Sequence, residues 1–206
     1  TYWAQPNAKY GYPINAPHRT GHTLKMSSPN WQCPEPALMI EYGRAKSAYD
    51  DYIRDDNFPV MPASGTLHHI GMLWGYRILT RSDVFTRTNP IPDQEPLRAL
   101  VFMTDGETSV GNDAFWFGAY GRLADRRISN ATTTSSFQQQ IMRRFAKVCE
   151  NAKRDGIAVY IVSLKASVGE FSTCAGNRYY LTQDAATINR AFEQIAVDLV
   201  DLHLTQ

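Results

Sequence analysis

A chain of 206 residues is long enough to bury a sizeable core and holds one domain or a little more. Its 21 Lys and Arg balance 20 Asp and Glu to leave a net charge of +1, and no basic run alternates with aromatics, so nothing in the charge points to nucleic acid. No apolar stretch approaches the roughly 20 residues of a membrane span, and no signal-peptide pattern opens the chain. The start at Thr1 rather than Met suggests a processed or excised piece. Cys33, Cys149 and Cys174 contain no Cys-x-x-Cys pair, which excludes a zinc ribbon and a dense disulfide scaffold.

Residues 1–35 read as irregular. Pro6, Pro13, Pro17, Pro29 and Pro34 interrupt any helix, while Tyr2, Trp3, Tyr10, Tyr12 and Trp31 are too apolar for a free tail, so the segment is expected to lie along a surface. His18 and His22 have the spacing of a metal pair, but Pro17 and Gly21 argue against a helix presenting them together. Ala37 to Ile40 reads as a short strand. Ala45, Ala48, Tyr49, Tyr52 and Ile53 then follow the i, i+3, i+4 rule of an amphipathic helix, which Asn57, Pro59 and Pro62 end. A second helix is predicted from about Thr66 to Leu79, with Leu67, Ile70, Gly71, Trp74 and Ile78 on one face. Ser64, Gly65 and Thr66 form its first turn, where a hydroxyl caps free N–H groups, and His68 and His69 read as surface or packing residues.

Arg81 to Gln94 is a loop. Leu100 to Met103 is an apolar run of strand length, suited to burial on both faces, and it ends in Thr104-Asp105-Gly106-Glu107. A carboxylate just past a buried parallel strand sits at the carboxyl edge of the sheet, where open α/β folds bind ligands; the plainer reading is an Asp-Gly turn. The long connection from Gly106 to Ser135 carries Phe115, Trp116, Phe117, Tyr120 and Leu123, an aromatic loop beside that carboxylate. A helix follows with Phe137, Ile141, Phe145, Val148 and Ala152 on one face and Gly156 as its stop. Ile157 to Leu164 and Arg178 to Leu181 read as strands, and the last helix carries Ile188, Phe192, Ile195, Leu199 and Leu202. Strands alternating with helices predict an α/β fold with a mainly parallel sheet covered on both faces.

Enzyme motifs are scarce. The chain has no Gly-x-x-x-x-Gly-Lys phosphate loop, no Gly-x-Ser-x-Gly elbow and no Gly-x-Gly-x-x-Gly fingerprint. What remains is a hydroxyl, Thr66, and a carboxylate, Asp105, each at a strand–helix boundary. Hard oxygen ligands of this kind suit Mg²⁺ or Ca²⁺ rather than zinc.

Five segments in order, GTLHHIGMLWGYRIL, LVFMTDGET, GAYGRLADRRIS, CENAKRDGIAVYIVSL and CAGNRYYLTQDAATINRAFEQIA, resemble the carboxy-terminal part of a TadG-type Flp pilus assembly protein. The resemblance spans roughly Cys33 to the end and implies that residues 36–206 are part of a von Willebrand factor A domain, a Rossmann-like fold. Such domains build a metal-ion-dependent adhesion site from an Asp-x-Ser-x-Ser loop, a Thr loop and an Asp loop. By position Thr66 matches the second and Asp105 the third. The Asp-x-Ser-x-Ser element is nowhere in the chain. In the family its strand lies beside the one ending at Asp105, so without it the Leu100 strand would present an unpaired apolar edge. The expectation is a domain lacking its first strand or strands, with the missing one supplied from outside this sequence.

The resemblance implies a periplasmic or cell-envelope, non-enzymatic interaction domain, anchored through an upstream segment and binding pilus or envelope proteins. Mg²⁺ or Ca²⁺ would join it to an acidic group on the partner, and Phe115, Trp116, Phe117 and Tyr120 would add apolar contact. It also implies an oxidising compartment, in which Cys149, near the end of its helix, and Cys174, after the next strand, would be bonded to each other; the alternative is that Cys149 is a buried free thiol. The rival functions are a surface adhesin using the same domain on host ligands, an α/β hydrolase or NTPase, and a purely structural Asp105.

Overall fold

The computed structural model describes residues 40, 44–54, 66–86, 96–109, 127–128 and 131–204. The chain divides into two compact units, Thr1–Ala63 with Thr88–Pro92, and Ser64–Arg87 with Asp93–Gln206. The described part of the first unit centres on helix α1 (Lys46–Arg54), where Lys46 pairs with Asp50 one turn on. Of the strand expected at Ala37 to Ile40 only Ile40 is described, and it lies in neither helix nor strand. Residues 1–35 lie outside the described residues.

The described residues of the second unit form α2 (His68–Thr80), β1 (Ala99–Thr104), α3 (Thr134–Arg154), β2 (Ala158–Leu164), α4 (Gly169–Ala175), β3 (Tyr179–Thr182) and α5 (Ala185–Leu204), with a 3₁₀ turn at Gly176–Arg178 before β3. The strands form one parallel sheet in the order β1-β2-β3. The central strand, AVYIVSL, is rich in β-branched residues and is buried on both faces. Val159 and Ile161 pack with Leu100 beneath Met72 of α2, Phe145, Cys149 and Ala152 of α3, and Phe171 of α4. Tyr160 and Val162 face the other way, onto Ala191 and Ile195 of α5. The unit is therefore an α/β fold, a small parallel sheet with helices on both faces, compatible with a Rossmann-like arrangement. Among the described residues no helix is long and apolar enough to cross a membrane.

Local chemistry sets the ends of α3. Thr133 caps it by accepting from the Ser136 N–H at 3.1 Å, and the Ser136 hydroxyl in turn accepts from the Thr133 N–H. At the far end Gly156 takes φ +72°, its N–H reaches Lys153 O, and the Ile157 N–H reaches Ala152 O, a Schellman closure. The disulfide Cys149–Cys174 ties α3 to α4 with a Cα separation of 5.9 Å. Closing its loop of 25 residues contributes on the order of 3 kcal/mol.

Several expectations are corrected. The apolar face expected on α2 holds only in part: Leu67 packs against a core cluster and His68 and His69 are buried packing residues, but Met72, Tyr76 and Leu79 join the core and Trp74 is half exposed. Gly75 lies so close to β1 that a Cβ there would meet Leu100 Cδ1 at 2.9 Å. Thr66 does not cap α2; Leu67 is the N-cap residue and contributes no side-chain bond. On α5 Phe192 is exposed, since the helix settles on β2 and β3 through Ala191 and Ile195. Nor is β1 buried on both faces. Val101 and Met103 are 40 % and 49 % exposed on the side where α5 covers only β2 and β3, and among the described residues β1 has a strand neighbour on one side alone. The seven residues of α4, too short for periodicity to reveal, are an addition.

Replacing Gly156 by Ala tests the Schellman closure. A Cβ there meets nothing within 4 Å, so the cost is conformational alone. Denaturant titration should show a loss of about 1 kcal/mol with an unchanged m value.

Candidate functional site

The carboxyl edge of β1 holds the candidate site. The chain leaves the strand at Thr104, turns through Asp105 and Gly106, and meets the segment before α2, where Thr66 and Ser109 form an antiparallel bridge. The Thr66 N–H donates to Ser109 O at 2.7 Å, and the Ser109 N–H donates back to Thr66 O at 3.0 Å. The bridge brings the loops of Thr66 and Asp105 to one edge of the sheet.

His68 locks this junction. Its Nε2 lies 2.9 Å from Thr104 Oγ1 and its Nδ1 lies 2.7 Å from Thr108 Oγ1. The imidazole is only 3 % exposed and meets Phe102, Phe145 and Phe171 edge-on, with Phe171 nearest at 5.0 Å between centroids. Burial pushes its pKa down to about 4, against an opposing pull from Asp105, so the ring is neutral near pH 7. A neutral ring donates through one nitrogen and accepts through the other, and the threonine hydroxyls can serve either role. Thr108 is held further by its hydroxyl contact with Met142 Sδ and by Gln138 Nε2, which donates to Thr108 O at 3.0 Å. Thr104 closes a small turn on Gly106, whose N–H lies 3.4 Å from its hydroxyl.

Chemically this is a clamp rather than a catalytic pair. The hydroxyl that His68 touches at Thr104 is buried, both ring nitrogens are occupied, and an imidazole with a pKa near 4 is a weak base at neutral pH. Asp105, Glu107 and Ser109 are the exposed residues of this loop.

The donor set falls short of a cation site. Thr66 and Asp105 offer one neutral hydroxyl and one carboxylate where Mg²⁺ takes six oxygens, and the described residues contain no group of three or more His, Cys, Asp or Glu able to hold a metal ion. Among the described residues, Thr66 and Asp105 by themselves supply two of the six oxygens that Mg²⁺ takes. Phe115, Trp116, Phe117 and Tyr120, and Asp113 with them, lie outside the described residues. Cys149 and Cys174 are joined. Of the two readings of His68, surface or packing, the structure shows packing; its bonds to Thr104 and Thr108 are what the sequence did not reveal.

Comparison with family models, with curated proteins and with solved structures gave no match.

The two buried histidines make stability depend on pH. Burial also lowers His69 to about 4, with a smaller push from Arg144. Unfolded, both titrate near 6.5. Their neutral forms support the fold fully above that value, and as pH falls from 6.5 toward 4 the unfolded chain takes up protons that the folded chain refuses. Each should then remove about 1.4 kcal/mol of stability per pH unit within that window. Urea titrations at pH 7.5, 6.5, 5.5 and 4.5 check the slope, and His68→Gln should reduce it by about half.

Proposed function

We propose that this chain is the carboxy-terminal part of a von Willebrand factor A-type domain of a TadG-type Flp pilus assembly protein, acting as a non-enzymatic protein-interaction module of the bacterial envelope. One observation carries the reading. The two loops that the family uses at its adhesion site, entered here through Thr66 and Asp105, meet at the carboxyl edge of a parallel sheet, at β1, which among the described residues is an edge strand. Exposed Val101 and Met103 on that strand are what an apolar neighbouring element would cover. In this proposal a strand from outside this sequence pairs with β1 and brings the Asp-x-Ser-x-Ser oxygens, adding a second carboxylate and two hydroxyls. A divalent cation held there leaves one position for an acidic group on a protein partner. The neutral, clamped His68 suits this role, because it fixes backbone without adding a positive charge near the cation.

Titration calorimetry with Mg²⁺ and Mn²⁺ tests it. This chain alone should bind weakly, a longer protein that adds the strand should bind well, and Asp105→Ala should abolish binding in the longer protein while barely changing the shorter. Tight binding by this chain would mean other ligands, with Glu107 and Asp113 the first to mutate. No binding by the longer protein would leave Asp105 a structural residue.

The non-enzymatic part has its own check. Nucleoside triphosphates and simple esters should not be turned over, and turnover that vanishes in Asp105→Ala would overturn it.

A further inference from the structure

Away from the sheet edge, α3 and α4 enclose an open groove of about 520 Å³. Cys149 and Cys174 form part of its wall, together with Glu150, Lys153, Glu170 and Thr173. The two cysteines are otherwise buried, at 2 % and 5 % exposure, so the groove is the approach to their bond among the described residues. Lys153 donates from Nζ to Cys174 O at 2.8 Å, which sets a cation beside the disulfide. A cation in that place favours a departing thiolate.

The helix on the far side of the groove is short. Its seven residues are too few for a helix that is stable alone, and its N-cap, Val168, gives no side-chain bond. α4 is held by the burial of Phe171 and Ala175, by packing on α3, β2 and β3, by the Lys153 contact at its end, and by the covalent bond at Cys174. Phe171 lies one turn before Cys174 and is fully buried against His68, Phe102 and Phe145. His68 in turn holds Thr104 and Thr108, on either side of Asp105. A continuous run of contacts thus leads from the disulfide through Phe171 and His68 to the candidate site.

We propose that the Cys149–Cys174 disulfide is a reducible latch on that site: a dithiol reductant entering the groove frees α4, draws Phe171 away from His68, and loosens the loop from Thr104 to Ser109. In the chemical step a thiolate of the reductant attacks one cysteine sulfur and the other leaves as thiolate. The reductant's second thiol then displaces the first cysteine from the mixed disulfide. Two electrons pass to the cysteine pair, which takes up two protons, and the reductant ends as a disulfide. Naming this edge a binding site rests on the proposed function, whereas the coupling rests on the contacts alone.

Hydrogen–deuterium exchange on the whole chain decides it, with and without dithiothreitol and with free thiols counted by alkylation. Reduction should speed exchange of residues 104–109 at least tenfold while residues 158–164 of β2 keep their protection. Phe171→Leu, with the disulfide intact, should reproduce the local acceleration, because it removes the ring that touches His68 and keeps the apolar bulk. The latch is overturned if 104–109 keep their rate with both cysteines alkylated, if β2 accelerates equally, or if the thiols react only after denaturation. Because the readout is neither metal nor partner binding, a failed latch and a failed interaction site are told apart.

Discussion

Everything in the second unit hangs on β2 being dry on both sides. A strand with Val159 and Ile161 on one face and Tyr160 and Val162 on the other gains burial only when helices cover both faces. Its parallel neighbours require crossovers, so α3 and α4 must lie over one face, and α5 closes the other. The carboxyl ends of the strands consequently share one edge, which places Thr104 and Asp105 beside the entry to α2. The candidate site is a product of that geometry before any side chain acts on it.

That edge is stabilised by polar contacts set into an aromatic surround. The imidazole of His68 is costly to bury unless both nitrogens find partners, and Thr104 and Thr108 supply them at hydrogen-bond distance. Once satisfied, the ring is as much a part of the core as Phe145. Asp105, outside this network, faces water. The structure thus separates a rigid inner layer that places the loop from an outer layer whose carboxylates remain available.

Much of this was legible, for physical reasons. The run at Leu100 to Met103 is too short for a helix and that at Ile157 to Leu164 is short and rich in β-branched residues, and the long periodic stretch from Phe137 to Ala152, stopped by Gly156, admits little but an amphipathic helix. What the pattern hid depends on tertiary contact. The inward face of α2 is set by the approach of Gly75 to β1 and by the two bonds of His68, and hydrophobicity registers neither a missing side chain nor a histidine that behaves as apolar. Phe192 looked like core because it is large, but α5 seats itself through the smaller Ala191. At the site, the Asp105 and Thr66 positions were readable from their place at element boundaries. The hydroxyl–imidazole clamp was not, since Thr104 and Thr108 meet His68 across 36 and 40 residues of chain.

The contact of Gly75 with Leu100 carries a consequence for how such a sequence can change. With 2.9 Å between a notional Cβ and Leu100 Cδ1, positions 75 and 100 share one volume, although one lies on a helix and the other on a strand. A methyl group at 75 requires the Leu100 side chain to shift or shrink, and shrinking it first leaves a void in the core. The two sites are therefore epistatic. Either change taken first crosses a stability valley, and a lineage reaches the alternative pairing only with stability to spare.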